Sequence, residues 1–154
     1  MNLLAIDPGP VESACVLWDG ETIRFRYKAS NQHILELIET HRMHNQDPKL
    51  AIEMIASYGM PVGEAVFETC VWIGRFMQVW GAEVIRIPRI QVKSHLCHSG
   101  KANDANIRQA LIDRLGPPGR KKEPGPTYGL SGDCWAALAV AVTVWDRMAS
   151  EKSK

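Results

Sequence analysis

The chain has 154 residues and a formal net charge of +1, and 45% of its residues are hydrophobic and 23% charged. These values are typical of one soluble globular domain spanning 1–154, and they exclude a disordered chain. No apolar stretch reaches the roughly 18–20 residues that a membrane-spanning helix needs. The four cysteines are scattered, which indicates free thiols in a reducing compartment. We therefore expect a cytoplasmic protein with no membrane partner.

The first part of the chain predicts a three-stranded antiparallel meander. Residues 2–6 are a short apolar run, typical of a strand buried on both faces. A second strand is expected over Ser13–Trp18. Asp19-Gly20 then predicts a two-residue turn into a third strand that begins at Ile23.

Two helices and two further strands are expected next. Ser30 or Asn31 can cap a first helix, and Lys49–Met54 predicts the fourth strand. A second helix is expected from about residue 63 to 80. Its apolar residues cover more than one face, so we expect part of it to lie in a subunit contact. Residues 83–87 predict the fifth strand.

The last third of the chain predicts two more helices on either side of a loop. Asn103 or Asp104 can cap a third helix, and Ser131 can cap the terminal one. Residues 116–129, here called the basic loop, are rich in Pro, Gly and Lys and are expected to be mobile. The order of these elements predicts an α/β fold with a mixed five-stranded sheet and helices on both faces.

Three carboxylates lie at the ends of apolar segments. Asp7 follows the first predicted strand, Glu53 follows Leu50–Ile52 in the fourth, and Asp133 precedes the apolar terminal helix. If the first and fourth strands are parallel neighbours, Asp7 and Glu53 lie about 5 Å apart at the carboxyl edge of the sheet, where α/β proteins bind ligands. Carboxylates that close repel each other unless a cation bridges them. We therefore predict a Mg²⁺ site in which two ions could assist phosphodiester hydrolysis.

Two of these acids also have a purely structural explanation. Asp7 before Pro8-Gly9 could form a turn, and Asp133 could interact with the dipole of the helix that it precedes. Glu53 differs, because a glutamate inside a buried strand has no local structural task.

Positive charge is concentrated in one stretch of the chain. Residues 86–122 contain nine Lys or Arg and two acids, which gives +7, whereas the remainder is −6. Clustered basic residues favour nucleic-acid phosphates as partners, although a solvated basic face would have the same pattern.

Five segments, in order and over nearly the whole chain, resemble motifs of RuvC-type Holliday junction resolvases of the RNase H-like superfamily. Ala5–Pro10, with the hairpin after it, is similar to the opening of these proteins, and Ala51–Glu53 to their second acidic strand. Gln91–Lys93 and Gly100–Ala102 are similar to the segment between their fifth strand and third helix, and Asp133–Ala141 to their terminal acidic helix.

The resemblance implies an RNase H-like fold and a Mg²⁺-dependent endonuclease, with Mn²⁺ able to substitute, in the cytoplasm of a bacterium or a phage-infected cell. It implies a homodimer that cuts two opposed strands of a four-way DNA junction symmetrically. Asp7, Glu53 and Asp133 would be catalytic metal ligands, and Lys93 would approach the scissile phosphate. The residues that would hold the junction arms are Lys93, Lys101, Arg120, Lys121 and Lys122.

The sequence departs from the family pattern at two positions. Ala136 stands where the family usually has a second acid in the terminal helix, so the site could hold one ion firmly and a second only with DNA bound. Asp104 stands where a basic residue is frequent, and it could be a displaced fourth ligand or a helix cap.

Three other functions are compatible with parts of this pattern. Actin-like ATPases and sugar kinases also begin with an acidic glycine hairpin, but they need two such domains, and 154 residues supply one. A branched-DNA-binding protein that has lost cleavage would explain Ala136. A nuclease of flaps or replication forks would share the chemistry, because the shape of a branch is recognised by dimer geometry rather than by a motif.

Overall fold

The centre of the protein is a five-stranded mixed sheet. The computed structural model describes all 154 residues. The strands are β1 (Asn2–Asp7), β2 (Glu12–Trp18), β3 (Ile23–Ser30), β4 (Pro48–Met54) and β5 (Ile85–Pro88). Their spatial order is β3-β2-β1-β4-β5. The first three strands are antiparallel, whereas β4 runs parallel to both β1 and β5, so the predicted mixed sheet is confirmed.

Five helices cover the two faces of the sheet. They are α1 (Asn31–His44), α2 (Glu64–Trp80), α3 (Arg89–Cys97), α4 (Asp104–Leu115) and α5 (Cys134–Lys152). A two-stranded hairpin, β6 (Gly119–Arg120) and β7 (Glu123–Pro124), lies between α4 and α5. None of the helices combines the length and the apolar character that a membrane crossing requires.

Strand β1 separates two hydrophobic cores. Leu3 and Ala5 pack in the core formed with α4 and α5, whereas Leu4 and Ile6 pack in the core formed with α1 and α2. Because successive side chains of a strand point to opposite faces, a strand covered on both sides is apolar throughout. The polar residue Asp7 can therefore occur only where β1 leaves the cores.

The turn between β2 and β3 is longer than the predicted two-residue turn. It spans residues 19–22, and only Gly20 has a positive φ, of 104°. Asp19 accepts hydrogen bonds from the backbone N–H groups of Glu21 and Thr22 at 3.0 and 2.7 Å. The aspartate side chain thus closes the turn, a common role for this residue type.

Two predicted helix caps are present and a third is wrong. Ser30 caps α1, and Asn103, not Asp104, caps α4 in a reciprocal capping box. Ser131 does not cap the terminal helix, because α5 begins later, at Cys134, with Asp133 at its N-cap position. The Asp133 side chain makes no capping hydrogen bond and instead pairs with Lys28 on β3.

The basic loop contains regular structure, namely the β6–β7 hairpin. At its end Thr127 is buried, and its hydroxyl donates a hydrogen bond to the Gly116 carbonyl at 3.3 Å. The two ends of the loop are thereby held together. The mobility of its tip remains a prediction.

Candidate metal centre

The pairing of β1 with β4 places two of the predicted acids at one edge of the sheet. Ile6 lies beside Ile52 in the parallel register, so the next residues, Asp7 and Glu53, lie at or next to the carboxyl ends of two neighbouring strands. Asp133 reaches this edge from the start of α5 and lines the same small cleft as Asp7. The three acids singled out in the sequence therefore converge, and their role as ligands remains a prediction.

A buried hydrogen-bond network fixes the backbone immediately after Asp7. The Ser13 hydroxyl donates to Asn31 Oδ1 at 2.6 Å, and Asn31 Nδ2 donates to the Gly9 carbonyl at 2.9 Å. The Gly9 N–H donates in turn to Ser13 Oγ at 3.1 Å. A Cβ on Gly9 would lie 2.3 Å from the Glu12 carbonyl oxygen, so no larger residue fits. The network holds the end of β1, and hence Asp7, in a defined position.

Asp7 is the most strongly perturbed acid of the site. Its pKa is raised from 3.8 to about 7, first by burial and then by the neighbouring charges of Glu53 and Asp133, while Arg89 acts in the opposite direction. An acid that is half protonated at neutral pH marks a place where negative charge is uncompensated. The negative charge of Asp7 is therefore only partly compensated by neighbouring cations.

Glu53 and Asp104 share one arginine. Arg89 Nη1 lies 3.3 and 3.5 Å from the two carboxylate oxygens of Glu53, and Arg89 Nη2 donates to Asp104 Oδ1. The Glu53 side chain is only 14% exposed, whereas that of Asp104 is 83% exposed. Burial raises the pKa of Glu53, and the Arg89 charge opposes that rise. Asp104 is thus the outer anchor of an arginine that reaches inward to Glu53.

A second cation pairs with the third acid. Lys28 Nζ on β3 lies 2.8 Å from Asp133 Oδ2, and both side chains are about half exposed. No group of three or more acidic, histidine or cysteine residues is placed to hold a metal ion. An oxygen-only donor set is the type that Mg²⁺ prefers, and Glu53 and Asp133 are each paired here with a basic side chain.

The cleft at this edge is small and polar. It has a volume of about 90 Å³ and contains Asp7, Arg89, Asp104, Asp133 and Ala136 among its lining residues. Ala136 lines the cleft at the position where the resemblance implies a further acid. A larger cleft of about 560 Å³ lies elsewhere, between β5 and the end of α5, and contains none of the three candidate ligands.

The predicted DNA-binding residues lie in three separate places. Lys93 is on α3, one helical turn after Arg89, and both line a cleft of about 290 Å³. Lys101 lies before α4 and lines a different cleft of about 390 Å³. The three consecutive basic residues of the basic loop are exposed at the β6–β7 hairpin. The charge of Lys93 lowers the pKa of Glu53, as that of Arg89 does.

Sequence reasoning missed Arg89, Lys28 and Asn31. Arg89 directly follows the last strand of the parallel set, and residues at that position face the carboxyl edge, so its place in the chain was a usable signal. Asn31 was considered only as a helix cap. Lys28 gave no signal, because it lies among alternating charged residues on an edge strand.

Two solved structures share this architecture over almost the full length of both chains. A structure of Thermus thermophilus RuvC has a TM-score of 0.65 and 19% sequence identity, covering 97% of each chain. A structure of T. thermophilus RuvC in complex with a Holliday junction substrate has a TM-score of 0.65 and 18% identity, covering 97% of this chain and 96% of that one.

The chain has the fold of RuvC. The expected RNase H-like α/β architecture is therefore confirmed. No protein-family model matches the sequence, and no curated protein matches it either.

Proposed function

We propose that the protein is a metal-dependent endonuclease that resolves four-way DNA junctions by cutting two opposed strands. The observation that carries the proposal is the convergence of Asp7, Glu53 and Asp133, from three different elements, on the carboxyl edge of the sheet. The RuvC fold supports it, because one of the similar structures is a complex with a Holliday junction substrate.

Mg²⁺ is the proposed cofactor, with Mn²⁺ as a substitute. Asp7, Glu53 and Asp133 would hold it through carboxylate oxygens, the donor type that Mg²⁺ prefers. When bound, such an ion supplies positive charge and Lewis acidity to the reacting phosphate. Since Ala136 brings no fourth carboxylate, we propose that these three residues are the complete acidic ligand set.

The basic residues would place the DNA relative to these acids. Lys93 lines a cleft with Arg89 and its charge acts on Glu53, so we assign it the scissile phosphate, where it would stabilise the negative charge that develops during cleavage. Lys101 lines a different cleft and the basic residues of the loop are exposed, and these residues would hold the junction arms. Contacts of this kind act on phosphates and carry no sequence information.

We further propose that the protein acts as a homodimer. A four-way junction has two-fold symmetry, so two opposed cuts call for a two-fold symmetric enzyme. Helix α2 has the surface for such a contact, because Phe67 and Val71, one turn apart, are 60% and 56% exposed. Tyr58, Met60 and Val62, just before the helix, are also exposed. Sedimentation that gave a monomer both with and without a junction would contradict this arrangement.

Cleavage of a synthetic junction tests the proposal. Each of the four strands is labelled in turn and incubated with the protein and Mg²⁺ or Mn²⁺. The wild type should nick two opposed strands at symmetric positions. Asp7→Asn, Glu53→Gln and Asp133→Asn should each slow cleavage at least about 100-fold while junction binding persists.

The matched control is Glu39→Gln, which removes an exposed carboxylate from α1. Its cleavage rate should equal that of the wild type. Wild-type cleavage by Asp7→Asn would contradict the site assignment.

A second function is favoured by two observations on the same site. Ala136 removes a fourth acid, and Arg89 and Lys28 pair with two of the remaining three. Both features would suit a branched-DNA-binding protein without cleavage. Junction binding with no nicking in either metal would favour that function, whereas faster cutting of flaps or forks than of four-way junctions would change the substrate and keep the chemistry.

A further inference from the structure

Arg89 pairs with a buried acid of the candidate site, Glu53. It is the first residue of α3 and directly follows β5, the strand that pairs with β4 next to Glu53. Its guanidinium reaches two carboxylates that belong to different elements, Glu53 on β4 and Asp104 on α4. A planar guanidinium with several N–H donors can bridge two acids in this way, which an ammonium does less well.

The two partners of Arg89 differ in what they need from it. Asp104 is 83% exposed and is solvated by water, so its pairing contributes little by itself. Glu53 is 14% exposed, and a buried carboxylate is stable only when a cation or hydrogen bonds compensate its charge. Arg89 is therefore the cation that allows Glu53 to be buried and ionised.

We propose that Arg89 is a resident cation of the acidic site, which it occupies when no divalent ion is bound, and that it must release Glu53 before an ion can bind there. This inference rests on the proposed function. Asp104 gives the released guanidinium a place to remain, because it holds the other nitrogen of the same group. The role of Asp104 is thus to anchor Arg89 rather than to cap α4 or to bind the metal.

The inference predicts a competition that binding measurements can detect. Mn²⁺ binding to the free protein, without DNA, is measured by electron paramagnetic resonance of the unbound ion. Arg89→Gln removes the competing charge and should bind Mn²⁺ roughly tenfold more tightly than the wild type, because a unit charge at ion-pair distance has an effect of at least this size even with partial solvent screening. Arg89→Lys keeps the charge and should bind about as weakly as the wild type.

Arg24→Gln is the matched control, since Arg24 pairs with Asp19 at 3.6 Å in the turn between β2 and β3, away from the acidic edge. It should leave Mn²⁺ affinity unchanged.

Thermal unfolding gives a second measurement that does not depend on cleavage. In EDTA, Arg89→Gln should melt below the wild type, because Glu53 has lost its cation. Mn²⁺ should then raise its melting temperature by more than that of the wild type.

The results separate this inference from the proposed function. If the wild type binds Mn²⁺ and Arg89→Gln binds it equally or more weakly, Arg89 is an ordinary structural ion pair and the inference is wrong, while the metal site stands. If neither protein binds Mn²⁺, both the inference and the metal-dependent function are wrong. Should Arg89→Gln fail to fold, Arg89→Gln combined with Asp104→Asn is compared with Asp104→Asn alone. Tighter Mn²⁺ binding by the double variant would support the competition, and equal or weaker binding would refute it.

Discussion

Replacing Asp7 with asparagine should stabilise the folded protein when no divalent ion is present. The Asp7 carboxylate is buried beside Glu53 and Asp133, and its pKa is raised from 3.8 to about 7 mainly by burial and then by these two charges. The folded state therefore disfavours the ionised form. Asparagine has nearly the same shape and no charge, so it removes the unfavourable interaction without opening a cavity.

The sign and size of the effect follow from the two pKa values. Below about pH 4 the carboxyl is protonated in both states, and wild type and variant should be about equally stable. Between pH 4 and 7 the folded state keeps a proton that the unfolded state releases, so wild-type stability falls as pH rises. Above pH 7 the difference is complete, and the change from 3.8 to about 7 corresponds to about 4 kcal/mol. We expect about 2–4 kcal/mol, because a buried amide also needs hydrogen-bond partners.

Urea unfolding in EDTA at pH 4.5 and pH 8 measures this difference. Asp7→Asn should exceed the wild type clearly at pH 8 and only slightly at pH 4.5. Glu39→Gln, on the exposed side of α1, should match the wild type at both pH values. A variant that is less stable than the wild type at pH 8, or a difference independent of pH, would refute the electrostatic description of the site.

Other predictions concern packing, an ion-pair cluster and DNA binding. Phe76→Ala should destabilise the protein by about 3–5 kcal/mol, because Phe76 is fully buried. Phe67→Ala, at an exposed position of the same helix, should have little effect on the stability of the monomer. Urea unfolding of both variants tests this. Asp146→Asn should lower stability by about 1–3 kcal/mol at pH 7, because Asp146 accepts hydrogen bonds from Arg114 at 2.5 and 2.6 Å and contacts His95 at 2.7 Å. Burial raises the pKa of Asp146, but these partners lower it overall. The stability difference between the wild type and Asp146→Asn should therefore be fully present at pH 7 and disappear as pH falls through the folded-state pKa. Equal losses of stability at pH 7 and pH 2 would contradict this. Neutralising the three consecutive basic residues of the basic loop should weaken junction binding without changing the melting temperature. The slope of log affinity against log salt concentration should become shallower by about 0.9 for each DNA phosphate that the loop neutralises. An unchanged slope would show that the loop does not contact the DNA.

The sheet was predictable because its signals are local. Short apolar runs that end in turn residues identify the strands. Because a strand buried on both faces is apolar throughout, an acid directly after such a run marks the end of the buried part of the strand. Asp7 and Glu53 could therefore be assigned to one edge of the sheet from the order of the strands. Their convergence required only that β1 and β4 be parallel neighbours, which the structure confirms.

The rest of the site depends on contacts that a linear pattern does not encode. Helix α3 was not predicted, because it has only nine residues and its apolar contact with the core is limited to Val92 and the partly buried Leu96 and Cys97. The pairing of Arg89 with Glu53 joins residues 36 positions apart, and the pairing of Lys28 with Asp133 joins strand β3 to the start of α5. Composition and spacing predicted the negative charges of the site but not the positive charges that neutralise them.

An anomalous difference map from a crystal grown with Mn²⁺ tests the central claim most directly. We predict a peak at coordination distance, about 2.0–2.2 Å, from oxygens of Asp7 and Glu53, with Arg89 turned away from Glu53. A map with no peak at this edge of the sheet, and with Arg89 still paired to Glu53, would contradict the claim.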